Sequence, residues 1–314
     1  MKKRITLVAV ILTLLIVAAP LFGQTSPFGN NPIRAMFIAM DAQDIHWLRL
    51  NQGAQEAARR AGILYTMQAP HNKIDTAMQI AIMENAITSE YDIILVAPQL
   101  ATSMIPVINR ARAAGIKVIV VDSPLPAGSA YDAFIGTDNA AAARTAADTL
   151  ARAIGSRGKV AIVNAQAGAG TTMIRENAFR EQIRARYPNI EIVGVQYSDG
   201  DRARAMNIAQ DFMRANPDLA GFYACNEGST VGVGQAKRQA GAAASRIVIV
   251  GWDKSPDSQA MVVDGTILAV MVQNPTAMGR LGIETGMNLL RGRAVTRDQD
   301  SGVNVGTRSN IARL

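Results

Sequence analysis

The chain has few of the residues on which disulfides and metal sites depend. Its 314 residues include one cysteine, Cys225, which excludes an intramolecular disulfide and is most simply a buried strand thiol. The two histidines, His46 and His71, lie far apart in the sequence and, with a single cysteine, do not make a set of zinc ligands. Metal catalysis is therefore not expected, and the sequence predicts no cofactor.

Phosphate-binding motifs are missing as well. No glycine-rich loop is followed by lysine and serine or threonine at the spacing of a P-loop, and neither Gly168-Ala-Gly170 nor Gly232-Val-Gly234 has the third glycine of a dinucleotide fingerprint. The formal charge is +7, but the arginines are scattered along helical patterns, which is typical of solvated helix faces. Nucleotide cofactors and nucleic-acid partners are both disfavoured.

The first residues indicate export. Lys2, Lys3 and Arg4 precede an apolar run over 5–22, and Gly23 closes it, so residues 1–23 are predicted to be a secretory signal peptide of a periplasmic protein. Leu21 is large for a cleavage site, which leaves an uncleaved anchor as the alternative. A polar linker over 24–32 follows.

Beyond the linker, short apolar runs alternate with amphipathic segments of helical length, which predicts βαβ units and parallel sheets. The first array has predicted strands over 35–40, 63–67, 93–97 and 117–121 and helices over 47–61, 74–89 and 103–114. A helix over 139–154 opens the second array, with strands over 159–164, 191–196, 221–224 and 246–250 and helices over 173–187, 202–215 and 231–240. The predicted fold class is α/β, with two similar doubly wound parallel-sheet lobes; a strand over 266–273 and a helix over 278–290 remain.

Ligands of such sheets bind at the carboxyl ends of the strands, so a cleft between the lobes is expected to be lined by strand-end residues. Those with polar or aromatic side chains are Asp41, Asp44, His46, Trp47, Gln99, Asp122, Ser123, Asn164, Asn226, Glu227, Asp253, Gln273 and Asn274, together with the loops over 168–171 and 197–201.

Asp253 follows a buried apolar strand directly. Ser255 is a good N-cap for the next helix and Pro256 suits its first position, so Asp253 is not needed to start that helix and can face a ligand. The alternative is that Asp253 stabilises a turn through its own backbone.

Arg175 is the candidate cation. If Thr172 is the N-cap, Arg175 lies in the first helical turn, where the helix dipole disfavours a cation unless an acceptor is near. A solvated arginine is the alternative. For Asn226 and Asp44 the alternative is that they cap helices. For His46 and Trp47 the alternative is that they pack in the core.

These residue types suit a polyol. Asp, Asn and Gln can each satisfy neighbouring hydroxyl groups, arginine donates in a fork, and aromatic rings pack on the C–H faces of a sugar. Two carboxylates such as Asp122 and Asp253 also leave acid/base hydrolysis open as a minor alternative.

The order of several short motifs resembles a known family. The motifs are Gly53-Ala-Gln-Glu-Ala, Val120-Val-Asp122, Ile135-Gly-Thr-Asp138-Asn139, Gly170-Thr171 with Arg175 and Phe179, Ala224-Cys-Asn226-Glu227-Gly, Val250-Gly-Trp-Asp253 and Val272-Gln273-Asn-Pro275. Together they resemble the periplasmic sugar-binding proteins of the ribose-binding type, the substrate receptors of ABC transporters, whose fold is related to the ligand cores of LacI-type repressors.

The resemblance implies a non-enzymatic receptor, a monomer that closes over a monosaccharide or sugar alcohol and delivers it to a membrane ABC permease with its cytoplasmic ATPase. The implied ligand contacts are Asp44, His46, Trp47, Asp122, Arg175, Asn226, Asp253 and Gln273. Ribose-binding members carry arginine where Ser123 stands and an aromatic residue where Gly200 stands, so D-ribose itself is in doubt. Trp252 is expected to pack behind the site.

The resemblance also implies three crossings between the lobes, near 136–139, 264–266 and 290–293. The first lobe would then be 33–136 plus 266–290 and the second 137–265 plus 291–314. Alternatives within the family are a receptor for a furanosyl signalling molecule and a chemotactic sugar sensor. A repressor would need a DNA-binding helix-turn-helix before Ile33, where this chain has the predicted export signal.

Overall fold

Two separate β-sheets organise the chain. The computed structural model describes residues 31–71, 75–167 and 170–314. The predicted signal peptide, most of the linker, the first residue of the helix predicted over 74–89, and Gly168 and Ala169 of the 168–171 loop lie outside these residues.

Strands and helices alternate through most of the described chain. The first part contains β1 (Arg34–Ile38), α1 (Ile45–Ala61), β2 (Leu64–Gln68), α2 (Thr76–Thr88), β3 (Ile93–Val96), α3 (Ala101–Ala113), β4 (Lys117–Val121) and β5 (Ala133–Gly136). The second contains α4 (Asn139–Ala153), β6 (Gly158–Asn164), α5 (Gly170–Arg186), β7 (Ile190–Tyr197), α6 (Arg202–Ala215), β8 (Leu219–Ala224), α7 (Glu227–Ala240), β9 (Val248–Trp252), α8 (Pro256–Asp264) and β10 (Ala269–Gln273). The chain ends with α9 (Pro275–Leu290), β11 (Asp298–Asp300) and β12 (Val303–Thr307).

The two sheets repeat one strand order. The first runs β11-β5-β4-β3-β1-β2 and the second β12-β10-β9-β8-β6-β7. The neighbouring strands pair in parallel in both sheets, except that β12 runs antiparallel to β10. This confirms the predicted α/β class with two doubly wound lobes; the sequence pattern did not predict the short strands β5, β11 and β12.

Helices cover both faces of each sheet, because the central strands are apolar on both sides. In the first lobe α1 and α9 bury the face that includes Phe37 and Leu95, and α2 and α3 bury the face that includes Ile38 and Val96. In the second lobe α4 and α5 pack on one face and α6, α7 and α8 on the other. Each lobe therefore has its own core, as a domain requires.

Several helices begin where a strand-end side chain caps them. Asp138 caps α4 by accepting from the backbone N–H of Ala141. Ser255 caps α8 with Pro256 at the first helical position, and Ser258 completes a reciprocal capping box, which confirms the predicted start of that helix. Because these caps lie shortly after strands, each of these helices begins beside the edge of the sheet that faces the cleft.

The crossings between the lobes differ in part from those predicted. The first lies between β5 and α4, as expected. The segment 266–290 was predicted to belong to the first lobe, and this is wrong for its strand: β10 pairs with β9 and β12 in the second sheet, and only α9 packs on the first lobe. The second crossing is therefore at Asn274. The third follows β11, at 301–302 rather than 290–293, because β11 pairs with β5.

Hydrogen bonds tie the crossing segments to one another. Thr137 Oγ1 donates to Gln273 Oε1 at 3.0 Å, which joins the ends of β5 and β10. The N–H of Asp138 donates to Asp300 Oδ1 at 3.1 Å, and the N–H of Ser301 donates to the carbonyl of Gly136 at 2.7 Å. The three connections thus form a single narrow hinge.

Candidate functional site

Two carboxylates occupy the same position in the two sheets. Asp122 follows β4 and donates its N–H to the carbonyl of Ile135, while Asp253 follows β9 and donates to that of Met271, both at 2.9 Å. Both residues adopt the left-handed backbone region, with φ of 62° and 68°, which aspartate tolerates better than most residues. The structure thus presents one carboxylate from each lobe at the carboxyl edge of its sheet.

Arg175 is locked in place behind these carboxylates. It is 3% exposed; Nε donates to Asn139 Oδ1 at 2.7 Å and Nη1 donates to the carbonyl of Cys225 at 2.9 Å. Its guanidinium lies over the ring of Trp252, 3.6 Å from the centroid. Such contacts hold a guanidinium in one orientation, so the solvated alternative for Arg175 does not apply.

The argument that placed Arg175 in a first helical turn is wrong. Thr172 does not start the helix, because α5 begins at Gly170 and Arg175 lies in its second turn. The Oγ1 of Thr172 is a buried atom without a hydrogen-bond partner in the described chain. What holds Arg175 is tertiary: stacking on Trp252 and the acceptors of Asn139 and Cys225.

Trp252 packs behind the site, as expected. It is fully buried, and its Nε1 donates to the hydroxyl of Tyr223 at 2.8 Å. Tyr223 stacks on Phe179 with ring centroids 4.0 Å apart. The three rings form an apolar wall that keeps the guanidinium of Arg175 at the cleft.

The loop after β1 supplies the first lobe's other polar groups. Asp44 caps α1 by accepting from the N–H of His46 at 2.9 Å, and Nε2 of His46 lies 3.1 Å from Oδ1 of Asp122. Burial lowers the pKa of His46, but the carboxylates of Asp122, Asp253 and Asp44 outweigh it and raise that pKa above its ordinary value. Burial acts to raise the pKa of Asp122, yet His46, Arg175 and Ser123 together lower it.

Asn226 and Gln273 both have hydrogen-bond partners on the protein. Asn226 caps α7, its Oδ1 accepting from the N–H of Ser229 at 3.1 Å, so the capping alternative holds, and within the described residues its Nδ2 makes no hydrogen bond. Gln273 donates from Nε2 to Asp253 Oδ1 at 2.8 Å while its Oε1 accepts from Thr137. Gln273 thereby orients Asp253 from the hinge.

The site is therefore a polar cluster without a metal centre. Three carboxylates, Asp44, Asp122 and Asp253, surround His46 closely enough to shift its pKa, and Arg175 acts in turn on Asp122. In the described part of the chain no group of three His, Cys, Asp or Glu is placed to hold a metal ion. Charge of both signs and amide groups suit a small neutral ligand with many hydroxyl groups.

Comparison with known proteins shows the family of the chain. A family profile described as a periplasmic binding protein domain matches residues 36–294. The chain belongs to the periplasmic binding proteins. The D-allose-binding periplasmic protein of Escherichia coli strain K12 is 27% identical over 245 residues, which cover 76% of this chain and 78% of that protein.

Two solved periplasmic binding proteins share its fold over nearly their whole length. An ABC transporter solute-binding protein from Agrobacterium vitis with bound D-fucose is 34% identical with a TM-score of 0.83, covering 88% of this chain and 96% of that one. One from Burkholderia graminis C4D1M in complex with D-arabinose is 31% identical with a TM-score of 0.84, covering 90% and 97%. These relatives are binding proteins.

In this periplasmic binding protein Trp47 has the packing role that the sequence left open. It is 6% exposed, contacts Phe37 in the core, and its Nε1 donates to Asp41 Oδ2 at 3.2 Å. Asp41 also accepts from the N–H groups of Gln43 and Asp44, so it organises the whole loop. Its position directly after β1 was the only sign of this role in the sequence.

Asn139 is a site residue that the sequence analysis did not select. It is 5% exposed and accepts from Arg175, although it lies on α4 and Arg175 on α5. Its presence in the Ile135-Gly-Thr-Asp138-Asn139 motif, directly after a helix cap, is the signal that could have found it. A polar side chain at a first helical position next to a cleft has few other reasons to be buried.

The two lobes of this periplasmic binding protein contact each other at the rim of the cleft. Arg49 on α1 donates from Nη1 to the carbonyl of Lys254 at 3.1 Å, and Ser123 Oγ lies 3.3 Å from Thr171 Oγ1. Both contacts join a first-lobe residue to a second-lobe residue. The structure is therefore the closed conformation.

Replacing Arg49 with glutamine should speed ligand release roughly fivefold, which corresponds to about 1 kcal/mol for one charged hydrogen bond at a partly exposed position. The closed form loses the bond to Lys254, while the open form loses nothing. Stopped-flow displacement of bound ligand measures the dissociation rate. Arg59→Gln, on the exposed face of the same helix, is the matched control. An unchanged rate in R49Q would show that this contact does not stabilise closure.

Proposed function

We propose that this periplasmic binding protein is an extracytoplasmic receptor that captures a monosaccharide or sugar alcohol by hinge closure and delivers it to an ABC permease. The observation that carries the proposal is the pairing of Asp122 and Asp253 at the same strand position of the two lobes, with Arg175 held beside Asp122. The proposed ligand contacts are Asp44, His46, Asp122, Arg175, Asn226, Asp253 and Gln273. Trp47 is left out because it packs in the core.

The chemistry of these groups favours a neutral polyol. Carboxylates accept from hydroxyl groups, while Arg175 and the amide Nδ2 of Asn226 donate to hydroxyl oxygens, so one ring of hydroxyls satisfies both kinds of group. Relatives bind D-allose, D-fucose and D-arabinose, which supports a sugar as ligand. A sugar epimer that leaves a buried carboxylate without a donor costs about 1–3 kcal/mol, which supplies specificity.

The hinge supports the closing motion. The connections at 137–138, at Asn274 and at 301–302 lie side by side, so rotation there opens the cleft without disturbing either core. A ligand that touches both Asp122 and Asp253 binds the closed form better than the open form and thereby shifts the population towards it. The closed form is then the one that the permease recognises.

The remaining features of the proposal concern cellular context. The predicted signal peptide over 1–23, cleaved near Gly23, would place the mature chain in the periplasm as a monomer. Among the residues that the structure describes, no helix has both the length and the apolarity of a membrane span. Non-enzymatic binding is favoured because the relatives are binding proteins and the cluster has no activated nucleophile.

A panel of neutral sugars tests the proposal. Pentoses, hexoses, deoxyhexoses, polyols and signalling furanoses are added singly to the mature chain, and the melting temperature is measured by thermal shift. A cognate ligand at a hundred times its Kd stabilises the folded state by about 2.7 kcal/mol, which raises the melting temperature by roughly 5–10 °C. A folded protein whose melting temperature no member of the panel changes would overturn the proposal.

Asp253→Asn should weaken binding of the sugar found in that panel by about 10- to 100-fold, because a neutral amide accepts a weaker hydrogen bond than a carboxylate. Asparagine tolerates the left-handed backbone and can still accept from Gln273, so the ligand-free melting temperature should stay close to that of the parent chain. Isothermal titration calorimetry measures the affinity. Asp211→Asn, on an exposed face of α6, serves as the control. Equal affinity of D253N and the parent would remove Asp253 from the site.

A further inference from the structure

We propose that His46 is a specificity and positioning residue of the sugar site, and that its imidazolium is the second cation of the cleft, so that sugar binding is coupled to proton binding. The proposal rests on the proposed function, since it concerns the same cleft.

The imidazole is held in one place by its surroundings. Its Nε2 lies 3.1 Å from Oδ1 of Asp122, and its ring stands edge-on against the ring of Trp47, with centroids 4.7 Å apart. The backbone N–H of His46 is fixed by the side chain of Asp44 at the start of α1. Because Trp47 is itself anchored by Asp41, its ring is a fixed wall on one side of the imidazole.

The charges around His46 favour a cation at this point. Asp44 lies on its own loop with Asp41 next to it, Asp122 follows β4, Asp253 follows β9, and Arg175 on α5 acts on Asp122 from the other side. Within the described chain, Nε2 of His46 is a buried atom whose position against Asp122 is an ionic contact rather than a well-directed hydrogen bond. Such a contact stabilises the closed cleft more strongly when the ring carries a proton than when it is neutral.

Closure of the lobes strengthens the attraction between His46 and the carboxylates around it. His46, Asp44 and Asp122 belong to the first lobe, whereas Asp253 and Arg175 belong to the second and approach when the lobes close. In this closed structure burial acts to lower the pKa of His46, but Asp122, Asp253 and Asp44 raise it above its ordinary value. Removal of water alone would favour the neutral imidazole in the closed form. The nearby carboxylates outweigh this effect, so the closed form favours the imidazolium.

The sign of the pH dependence follows from this. Below the pKa of His46 in the closed form, the imidazolium is present and balances Asp122 as the lobes close. As the pH rises through that pKa, closure must either take up a proton or bury Asp122 and Asp253 with Arg175 alone. Sugar affinity should therefore be highest at the acidic end and fall as the pH rises, by at most about tenfold per pH unit for a single proton.

The test uses the full mature chain and the sugar identified in the thermal-shift panel. Calorimetric titrations between about pH 6 and pH 9, in two buffers with different ionisation heats, give the affinity and the protons taken up. We expect the parent chain to lose about fivefold or more in affinity over this range and to take up protons on binding. His46→Gln should bind the sugar at every pH with the weaker affinity that the parent shows at the alkaline end of the range. It should take up no protons on binding. His71→Gln, the exposed second histidine, should behave as the parent.

An independent measurement covers the case in which H46Q does not fold. In the H71Q chain the imidazole resonances of His46 are the only ones, so their NMR titration gives its pKa with and without sugar. The proposal requires a higher pKa in the sugar-bound chain. Tight sugar binding with a flat pH profile, or an equal pKa in both forms, overturns this proposal and leaves the proposed function intact. Failure of every sugar to bind at any pH overturns both.

Discussion

Arg175→Lys is expected to weaken sugar binding by about a hundredfold to a thousandfold, the largest loss of any conservative change in the cleft. The guanidinium of Arg175 is oriented by Asn139 and Cys225 and stacked on Trp252. A lysine ammonium keeps the charge but loses the fork and the stacking, so it cannot present its donors in the same direction. The affinity is measured by isothermal titration calorimetry at a temperature well below unfolding.

Arg180→Lys is the matched control, because Arg180 lies on the same helix α5 but is only half-buried and pairs with Glu176 at 3.5 Å. It should bind sugar as the parent chain does. Circular dichroism of R175K should still show one cooperative unfolding transition, which separates a binding defect from a folding defect. An affinity of R175K within about threefold of the parent would show that Arg175 supports the wall of aromatic rings and not the ligand.

Gly53→Ala should cost about 3 kcal/mol of folding free energy, the upper end of the usual range for overpacking, and lower the melting temperature by roughly 6–12 °C. The reason is the close approach of α1 and α9. A Cβ on Gly53 would lie 2.0 Å from the carbonyl oxygen of Thr276, and one on Gly279 would lie 2.0 Å from that of Leu50. Backbone atoms of two packed helices cannot yield as a flexible side chain would.

Thermal denaturation followed by circular dichroism measures this effect. Gln52→Ala, one residue earlier on the exposed side of α1, should change stability by no more than about 0.5 kcal/mol. Since α9 returns from the second lobe to cover the first, G53A is also expected to weaken the packing next to the hinge. A melting temperature equal to the parent's would mean that the two helices can separate without cost.

The elements and the strand ends were predictable from sequence because burial leaves a local pattern. Asp122 and Asp253 follow apolar runs too short for helices, and Ser255 with Pro256 marks a helix start that frees Asp253. The burial of Trp47 was also encoded: with Leu50 and Ala54 it makes a stripe of helical period on α1. That stripe favours packing of Trp47 in the core over a contact with the ligand.

Partners across the chain were not predictable in the same way. The apolar run of β10 shows that both of its faces are buried, not which sheet the strand joins. The pattern therefore could not correct the second crossing, which the family resemblance placed before the strand instead of after it. The contact between His46 and Asp122 joins residues far apart in sequence, and the orientation of Arg175 depends on Asn139, which lies on another helix. Each is a consequence of tertiary packing with no local signature.

The repeated strand order has a consequence for how a ligand lies in the cleft. Asp122 and Asp253 occupy equivalent positions of the repeat, as do Thr137 and Gln273, so the two lobes present the same strand-end positions to the cleft. A monosaccharide has two unlike ends, which a pair of equivalent carboxylates does not distinguish. In the proposed site the groups that differ between the lobes are His46 at the start of α1 and Arg175 in the second turn of α5. We therefore expect the two carboxylates to hold the sugar and these two unlike side chains to set its direction.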